Sequence, residues 1–234
     1  MFASFAVGKR AKDKIVPPVV SKLLVPKTLQ QCTYLSHLND PQASIVVGLG
    51  SAGTGKTLFA CHSAIQHLKT GEFEKIVITR PSVCVDEDIG FLPGNVLKKM
   101  DPFTRPIFDI FSDYYSMTEL NYFIQNNVVE VSTLGFMRGR TFKNSFIVAD
   151  EMQNSSPSQM KMLLTRLGEN SRLVITGDLK QSDYGLSNGL ADFCSKLEGK
   201  VLPNIQVVKF SDVDIQRSLI VSTIVKLYEK DGGE

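Results

Sequence analysis

The sequence predicts an α/β fold, a three-layer sandwich in which helices cover both faces of a mostly parallel sheet. Two observations support this. Short runs that are apolar throughout, such as "KIVIT" at 75–79 and "FIVAD" at 146–150, alternate with longer helical patterns. Strands that are apolar on both sides are typical of parallel sheets buried between two helical layers. Ligands of such sheets bind at the carboxyl ends of the strands, so we expect functional residues there.

The elements predicted from these patterns follow one another along most of the chain. For the helix at 155–168, Ser156 suits the N-cap, Pro157 the first helical position and Gly168 the end. The predicted strands cover 44–50, 75–79, 128–131, 146–150, 172–176 and 205–210. The predicted helices cover 56–69, pieces of 95–126, 155–168, 187–198 and 218–229.

Length and charge indicate one large domain with a basic extension. The chain has 234 residues, of which 43% are hydrophobic and 21% charged, and a net charge of +2. Basic residues concentrate near the start, so we divide the chain into a basic N-terminal arm, 1–27, and a single domain, 28–234. The arm is either a loosely held terminus or a segment that follows a phosphate backbone.

Cysteine usage and hydropathy exclude several classes of protein. The four cysteines are widely spaced, and the three histidines show no ligand spacing, so neither a metal–thiolate site nor a disulfide framework is expected. No apolar run approaches the length of a membrane span, and the N-terminal order of apolar and basic residues is the reverse of a secretory signal. We expect a cytoplasmic protein with no membrane contact.

A phosphate loop follows the first predicted strand. The segment "GSAGTGKT" matches G-x-x-x-x-G-K-[ST] and leads into a helix. Glycines allow successive backbone N–H groups to surround a phosphate, the lysine adds positive charge, and the threonine hydroxyl can bind Mg²⁺. The strand before it and the helix after it argue against a glycine-rich turn that binds nothing. The predicted nucleotide-binding residues here are Gly50, Ser51, Ala52, Gly53, Thr54, Gly55, Lys56 and Thr57.

Acidic residues end the strand at 146–150. Asp150 is predicted to hold Mg²⁺ together with Thr57, and Glu151 to orient or deprotonate an attacking water. Strands often end in acids, so this pair is informative only because a phosphate loop precedes it. The alternative interpretation is an acidic helix cap.

The turn after the strand at 172–176 carries an unusual number of polar residues. In "VITGDLKQSD", Asp178 and Gln181 follow the strand and are expected at the same edge of the sheet as the loop and the acid pair. Side chains placed there can contact the γ-phosphate or the attacking water and sense whether the phosphate is still attached. Lys180 and Asp183 have no predicted role.

Several arginines could stabilise charge on a triphosphate. Arg80 follows the second strand, Arg138 and Arg140 precede the strand at 146–150, and Arg217 lies near the C-terminus. An arginine at a triphosphate spreads positive charge onto the transition state. Taken singly, an arginine in such a place is more often a partner in a surface ion pair.

Six segments in the same order resemble the PhoH-like family of P-loop ATPases, over about 26–228. They are "VPKTLQQCTYL", "GSAGTGKT", "TRPSVCVDEDIGFLPG", "GFMRGRTFKNSFIVADEMQN", "QMKMLLTRLGENSRLVITGDLKQSD" and "DIQR". The resemblance implies a RecA-like core related to the first motor domain of superfamily 1 helicases. It also implies an adenine-reading role for Gln31, a G-D-x-x-Q element at Asp178 and Gln181, and a nucleotide-directed Arg217. Ser51 stands where the family commonly has proline.

These observations predict an Mg²⁺-dependent ATPase that uses Lys56, Glu151, Gln181 and Arg217 in catalysis. The cofactors are ATP and Mg²⁺, and single-stranded RNA or DNA is the expected partner. Because the sequence shows no second RecA-like domain, we expect a homo-oligomer, a hexameric ring with ATP at its interfaces. In such a ring Arg217 would reach a neighbour's γ-phosphate, and helicase activity would require the oligomer. The alternative is an ATP-gated binding or regulatory module with little turnover.

Overall fold

A computed structural model of the chain describes residues 24–81, 105–182, 187–216 and 220–221. Six parallel strands in these ranges form one sheet in the order β3-β2-β4-β5-β1-β6. The strands are β1 (Ile45–Leu49), β2 (Lys75–Thr79), β3 (Val129–Val131), β4 (Ser145–Ala149), β5 (Arg172–Gly177) and β6 (Ile205–Lys209). The helices are α1 (Leu29–Asn39), α2 (Lys56–Thr70), α3 (105–112), α4 (Met117–Gln125), α5 (Pro157–Leu164) and α6 (Gly189–Leu197).

Each face of the sheet packs against its own set of helices. Alternate residues of a strand point to opposite faces, so Val46 and Val148 lie in one apolar cluster and Val47 and Ile147 in the other. The first cluster includes buried residues of α1, α2, α3 and α4, and the second includes residues of α5 and α6. The predicted α/β fold with three layers is therefore confirmed.

The order of the strands places β5 between β1 and β4. Leu49 of β1 pairs with Gly177 of β5, and Ala149 of β4 pairs with Ile175. Because all three strands run in the same direction, the segments that follow them leave the sheet at the same edge. The sheet thus brings together three predicted strand ends. The first and the second of these ends, at Leu49 and Ala149, are more than 90 residues apart in the sequence.

The helix α5 begins as predicted and ends earlier. Ser156 caps it, with a reciprocal capping box to Gln159, and Pro157 is its first residue. The helix stops at Leu164, and the prediction that it continues to Gly168 is wrong. At Gly168 the backbone N–H instead donates to Phe142 O at 2.8 Å, and a Cβ there would lie 2.5 Å from that oxygen. Gly168 permits two chain segments to touch, which ends the helix for a non-local reason.

The start of the described chain contains a helix that the sequence did not predict. In α1, Thr28 provides the N-cap, and Tyr34 and Leu38 are buried. Leu24 packs against the first apolar cluster. Residues 1–23 of the predicted arm, 95–104 of the predicted helical pieces and most of the predicted helix at 218–229 lie outside the described residues. No helix in the described ranges is long and apolar enough to cross a membrane.

A buried arginine connects α1, β1 and β5 at the amino end of the sheet. Arg172 is 3% exposed, and its guanidinium donates to the backbone oxygens of Ala43 at 3.0 Å, of Asp40 at 2.7 Å and of Leu38. The carbonyl of Leu38 lies in the last turn of α1, and the other two lie between α1 and β1. Burial lowers the pKa of the Arg172 guanidinium from its ordinary value, while Glu72 and Asp40 act in the opposite direction. The contacts fix where β1 enters the sheet.

We expect Arg172→Met to lower the free energy of unfolding by about 2–4 kcal/mol, because three carbonyls lose a charged donor in a buried place. Urea unfolding followed by circular dichroism measures this. A matched control is Lys143→Met, which removes only an exposed ion pair with Glu169, so its cost should stay below about 1 kcal/mol. Equal stability of the two variants would contradict the assigned role of Arg172.

Candidate functional site

Polar residues from three neighbouring strand ends meet at the carboxyl edge of the sheet. The loop at 50–57 follows β1, the pair Asp150 and Glu151 follows β4, and Asp178 follows β5. The three carboxylates all act electrostatically on Lys56 of the loop. The residues predicted separately from the sequence therefore form one site.

The loop has the backbone geometry that its glycines permit. Gly50, Gly53 and Gly55 adopt φ values of 148°, 88° and 90°, which residues other than glycine rarely adopt. At Gly50 a Cβ would also lie 2.9 Å from the carbonyl oxygen of Phe210. The helix α2 begins immediately afterwards, with Gly55 at its N-cap, so the loop leads directly into a helix N-terminus.

Carbonyl groups of the loop are held by the protein. The Lys56 ammonium donates to Gly50 O at 2.6 Å and to Ser51 O at 2.8 Å. A trans peptide points each C=O and the next residue's N–H in opposite directions. Lys56 thus fixes the orientation of the peptide groups that follow Gly50 and Ser51.

Two distant residues hold the next part of the loop. Gln31 Nε2 donates to Thr54 O at 3.1 Å, and the backbone N–H of Gln216 donates to Gly53 O at 2.8 Å. Gln31 is 3% exposed, and its Oε1 accepts from the N–H of Lys27 at 2.7 Å. Gln31, predicted to read adenine, has both ends of its amide bonded to protein.

Lys56 is a buried cation among carboxylates. It is 8% exposed, and burial lowers the pKa of its ammonium from the ordinary value. The negative charges of Glu151, Asp178 and Asp150 act in the opposite direction and favour the protonated form. The site thus keeps its own positive charge next to three negative ones.

Asp150 is 4% exposed, and its carboxylate accepts hydrogen bonds from two hydroxyl groups. Thr57 Oγ1 donates to its Oδ1 at 2.7 Å, and Thr176 Oγ1 donates to the same oxygen at 2.5 Å. Carboxylate and hydroxyl oxygens are ligands that Mg²⁺ prefers, and Mg²⁺ usually completes its shell with phosphate oxygens and water. The described ranges hold no group of three or more His, Cys, Asp or Glu side chains with metal-ligand spacing. The hydroxyl of Thr57 and the carboxylate of Asp150 are two oxygen donors that fit a cation brought by a phosphate.

Glu151 has a left-handed backbone, with φ of 54°, which is uncommon for a residue other than glycine. Its carboxylate is held from two sides. Gln153 Nε2 donates to Oε2 at 2.5 Å, and Arg80 Nη2 lies 3.7 Å from Oε1. The side chain remains 36% exposed, so a water can reach it.

The end of β5 forms a tight turn around Asp178, which is 5% exposed. Its Oδ1 accepts from the N–H of Lys180 at 3.0 Å, and its carbonyl accepts from the N–H of Gln181 at 3.1 Å. Within the described chain its Oδ2 has no hydrogen-bond partner. Buried carboxylate oxygens normally have one, so this oxygen is suited to a ligand-borne donor. The Gln181 side chain is exposed, and Asp183 lies outside the described residues.

The predicted arginines have different surroundings. Arg140 donates to both oxygens of Glu130, at 2.5 and 3.0 Å, which holds the pKa of that carboxyl below its usual range. Arg140 is therefore a structural ion-pair partner, while Arg138 is exposed. Arg80 faces Glu151 as described above. Arg217 lies outside the described residues.

Thr176 and Gln153 belong to the site and were missed from the sequence. A signal for Thr176 was available, because strand alternation places it on the same face as Val174 and therefore toward α2 and Asp150. For Gln153, the only signal in the sequence was its position two residues after Glu151. Its contact with the end of β5 depends on strand order, which the sequence did not provide.

A solved structure with the same fold is the large terminase of the bacteriophage HK97. The two chains align with a TM-score of 0.57 and 12% sequence identity, over 92% of this chain and 49% of the terminase. At this identity the likeness concerns the fold, which is that of a P-loop nucleotide-binding protein.

Curated relatives are more similar in sequence. The "PhoH-like protein" of Bacillus subtilis is 36% identical over 94% of this chain and 68% of its own length. The "PhoH-like protein" of Mycobacterium leprae is 41% identical over 88% of this chain and 59% of its own length. "Protein PhoH" of Escherichia coli K12 is 32% identical over 95% of this chain and 62% of its own length. The chain thus spans 59–68% of the length of these relatives.

The profile of the PhoH family, described as "PhoH-like protein", matches residues 23–229. This range contains the phosphate loop, the acid pair and the turn after β5. Together with the relatives above, the match means that the chain belongs to the PhoH-like family.

Proposed function

We propose that the chain binds and hydrolyses ATP with Mg²⁺ and couples this cycle to single-stranded RNA or DNA. One observation carries the proposal. The phosphate loop, Asp150, Glu151 and Asp178 lie at three adjacent strand ends around Lys56. A protein that only bound ATP would not need a carboxylate beside the loop to orient water.

The phosphate groups are proposed to lie on the N–H groups of the loop and on the N-terminus of α2. Lys56 exchanges its bonds to Gly50 O and Ser51 O for phosphate oxygens, which are stronger acceptors for a charged donor. Thr57 and Asp150 would hold Mg²⁺, which neutralises phosphate charge when it is bound. Thr176 keeps the Asp150 carboxylate in a fixed orientation.

Glu151 is proposed to orient the attacking water. Its carboxylate is held by Gln153 and faces Arg80, so it is directed before a substrate binds. Asp178 and Gln181 are proposed to sense the γ-phosphate. The unbonded Oδ2 of Asp178 supports this role, because it can accept a hydrogen bond from a water next to the γ-phosphate.

The nucleic-acid partner and the oligomer are proposed on more general grounds. The basic segment 1–27 and the resemblance to helicase cores favour a nucleic acid. Exposed apolar side chains near β6, the edge strand of the described sheet, favour self-association, as in the predicted hexameric ring. These side chains are Val201, Val207 and Val213, which are 95%, 37% and 83% exposed.

The central test is phosphate release from ATP by the wild-type chain and by Glu151→Gln. We expect the variant to lose about 100-fold in kcat, because the amide cannot accept a proton, with ATP affinity changed less than about 2-fold. We expect single-stranded RNA or DNA to raise the wild-type rate, measured at a stated salt concentration.

Glu169→Gln is the matched control, since Glu169 is exposed and far from the loop in the fold. A Glu151→Gln variant as fast as wild type would remove the assignment of Glu151. A wild-type chain that binds ATP and releases no phosphate with either nucleic acid would favour the ATP-gated binding module.

A second prediction concerns Thr176, whose hydroxyl donates to Asp150 Oδ1. Thr176→Val keeps the shape and removes this donor, so we expect about 10-fold more Mg²⁺ to be needed for tight ATP binding. A titration of a fluorescent ATP analogue with Mg²⁺ measures the change, and binding in EDTA should be unaltered. Thr33→Val, on the outer face of α1, controls for the loss of a hydroxyl. An unchanged Mg²⁺ requirement would contradict the role.

A third prediction concerns the direction in which Arg217 acts. The resemblance implies that Arg217 is directed at a nucleotide, and in the proposed ring this nucleotide is bound by a neighbouring subunit. We therefore expect Lys56→Ala and Arg217→Ala subunits, each inactive alone, to regain part of the phosphate release when mixed, because some interfaces then combine an intact loop with an intact arginine.

The mixing is done at several ratios, with light scattering to report the oligomeric state of each mixture. No recovery of phosphate release at any ratio would contradict action on a neighbouring subunit, which the proposed ring requires. Unmixed subunits at the same total concentration provide the control.

A further inference from the structure

Gln153 is a buried side chain whose position calls for an explanation. It lies in the turn Met152–Asn154, two residues after Glu151, and is 2% exposed. An amide carries both a donor and an acceptor end, and when buried it normally bonds at both. The partners of the two ends therefore indicate what the residue does.

The two ends of the amide connect different parts of the site. Nε2 donates to Glu151 Oε2 at 2.5 Å, and Oε1 accepts from the backbone N–H of Asp178 at 3.1 Å. If the amide were turned over, a carbonyl oxygen would face a carboxylate and an NH₂ group would face an N–H. Only one orientation satisfies both partners, so the link has a defined direction.

The end of β5 is shaped to receive this side chain. Gly177 precedes Asp178, and a Cβ there would lie 2.7 Å from Gln153 Oε1. On the other side of the turn, Ser182 Oγ donates to the backbone oxygen of Gln153 at 3.0 Å. The turn that contains Asp178 and Gln181 is thus attached to Gln153 at both of its ends.

The bond to Glu151 is not needed to satisfy that carboxylate. The Glu151 side chain is 36% exposed, so water could solvate it. The bond instead restricts the rotamers of Glu151, which costs conformational entropy. Such a restriction is useful where the direction of the carboxylate matters.

We propose that Gln153 is a positioning residue that links the carboxylate of Glu151 to the end of β5. When Asp178 and Gln181 move as the γ-phosphate leaves, the link changes the orientation of Glu151. The carboxylate is then directed at water only while the phosphate is present. This inference rests on the ATPase activity proposed above and adds to it a route from the sensing turn to the water-orienting residue.

Two variants of Gln153 separate the two ends of the link. Gln153→Glu keeps an oxygen for the Asp178 N–H and loses the donor to Glu151, while Gln153→Met has similar length and loses both. We expect each to lower kcat about 10- to 100-fold, because Glu151 is no longer held in place. The affinity for ATP should stay within about 2-fold of wild type, since Gln153 does not touch the loop.

Hydrogen exchange of the Asp178 amide tests the other end and needs no turnover. We expect roughly tenfold faster exchange in Gln153→Met, where the amide loses its acceptor, and near wild-type exchange in Gln153→Glu. The same two substitutions at Gln42, an exposed glutamine before β1, provide the control. Circular dichroism confirms that each variant is folded before it is assayed.

Wild-type kcat in either variant would overturn the proposal, as would unchanged exchange at Asp178 in Gln153→Met. A parallel loss of kcat, ATP affinity and melting temperature would also overturn it, because that pattern means general structural damage. A wild-type chain without phosphate release would contradict the ATPase itself. The exchange measurement would in that case still support or overturn the link between Gln153 and β5.

Discussion

The parallel pairing of β5 with β1 on one side and β4 on the other is the constraint on which the site depends. It holds Leu49 opposite Gly177 and Ala149 opposite Ile175. The segments that follow the three strands therefore begin next to one another at the same edge of the sheet. The apolar faces of these strands supply the stabilising burial, which is large enough to hold a polar edge that would not assemble by itself. Arg172 secures the opposite edge, where it fixes α1 and the start of β1 against β5.

The carboxyl edge of the sheet, where the site lies, carries several charged side chains close together. Asp150 and Asp178 are almost fully buried, Glu151 is partly exposed, and Lys56 lies among them. Buried carboxylates are costly unless they are paired or bonded. Hydroxyl donors on Asp150 offset part of the cost, but Asp178 Oδ2 stays unbonded within the described chain. Such a site is more stable with additional positive charge, which the proposed Mg²⁺ ion would bring next to Asp150.

Much of the fold could be predicted because the signals are local. Apolar runs indicated the six strands. The pattern G-x-x-x-x-G-K-[ST] at 50–57 is typical of phosphate-binding loops. Failures arose where the cause is non-local. The helix α1 was not predicted, since its buried face includes the polar Gln31, which bonds to Thr54 O of the distant loop. The end of α5 depends on Phe142 approaching Gly168. In the site, the contact of Gln153 with Asp178 follows from strand order, which no short motif encodes.

The phosphate loop is also the point where the two flanks of the described domain meet. Gln31, near its beginning, bonds to Thr54 O, and Gln216, near its end, bonds to Gly53 O. These carbonyls belong to neighbouring residues, so a nucleotide that reorganises the loop must act on both contacts together. Because each contact joins the loop to a segment outside the sheet, the energy of phosphate binding can be transmitted without deforming the core. In the proposed ATPase, α1 and the segment after β6 are therefore the places where a response to the nucleotide is expected.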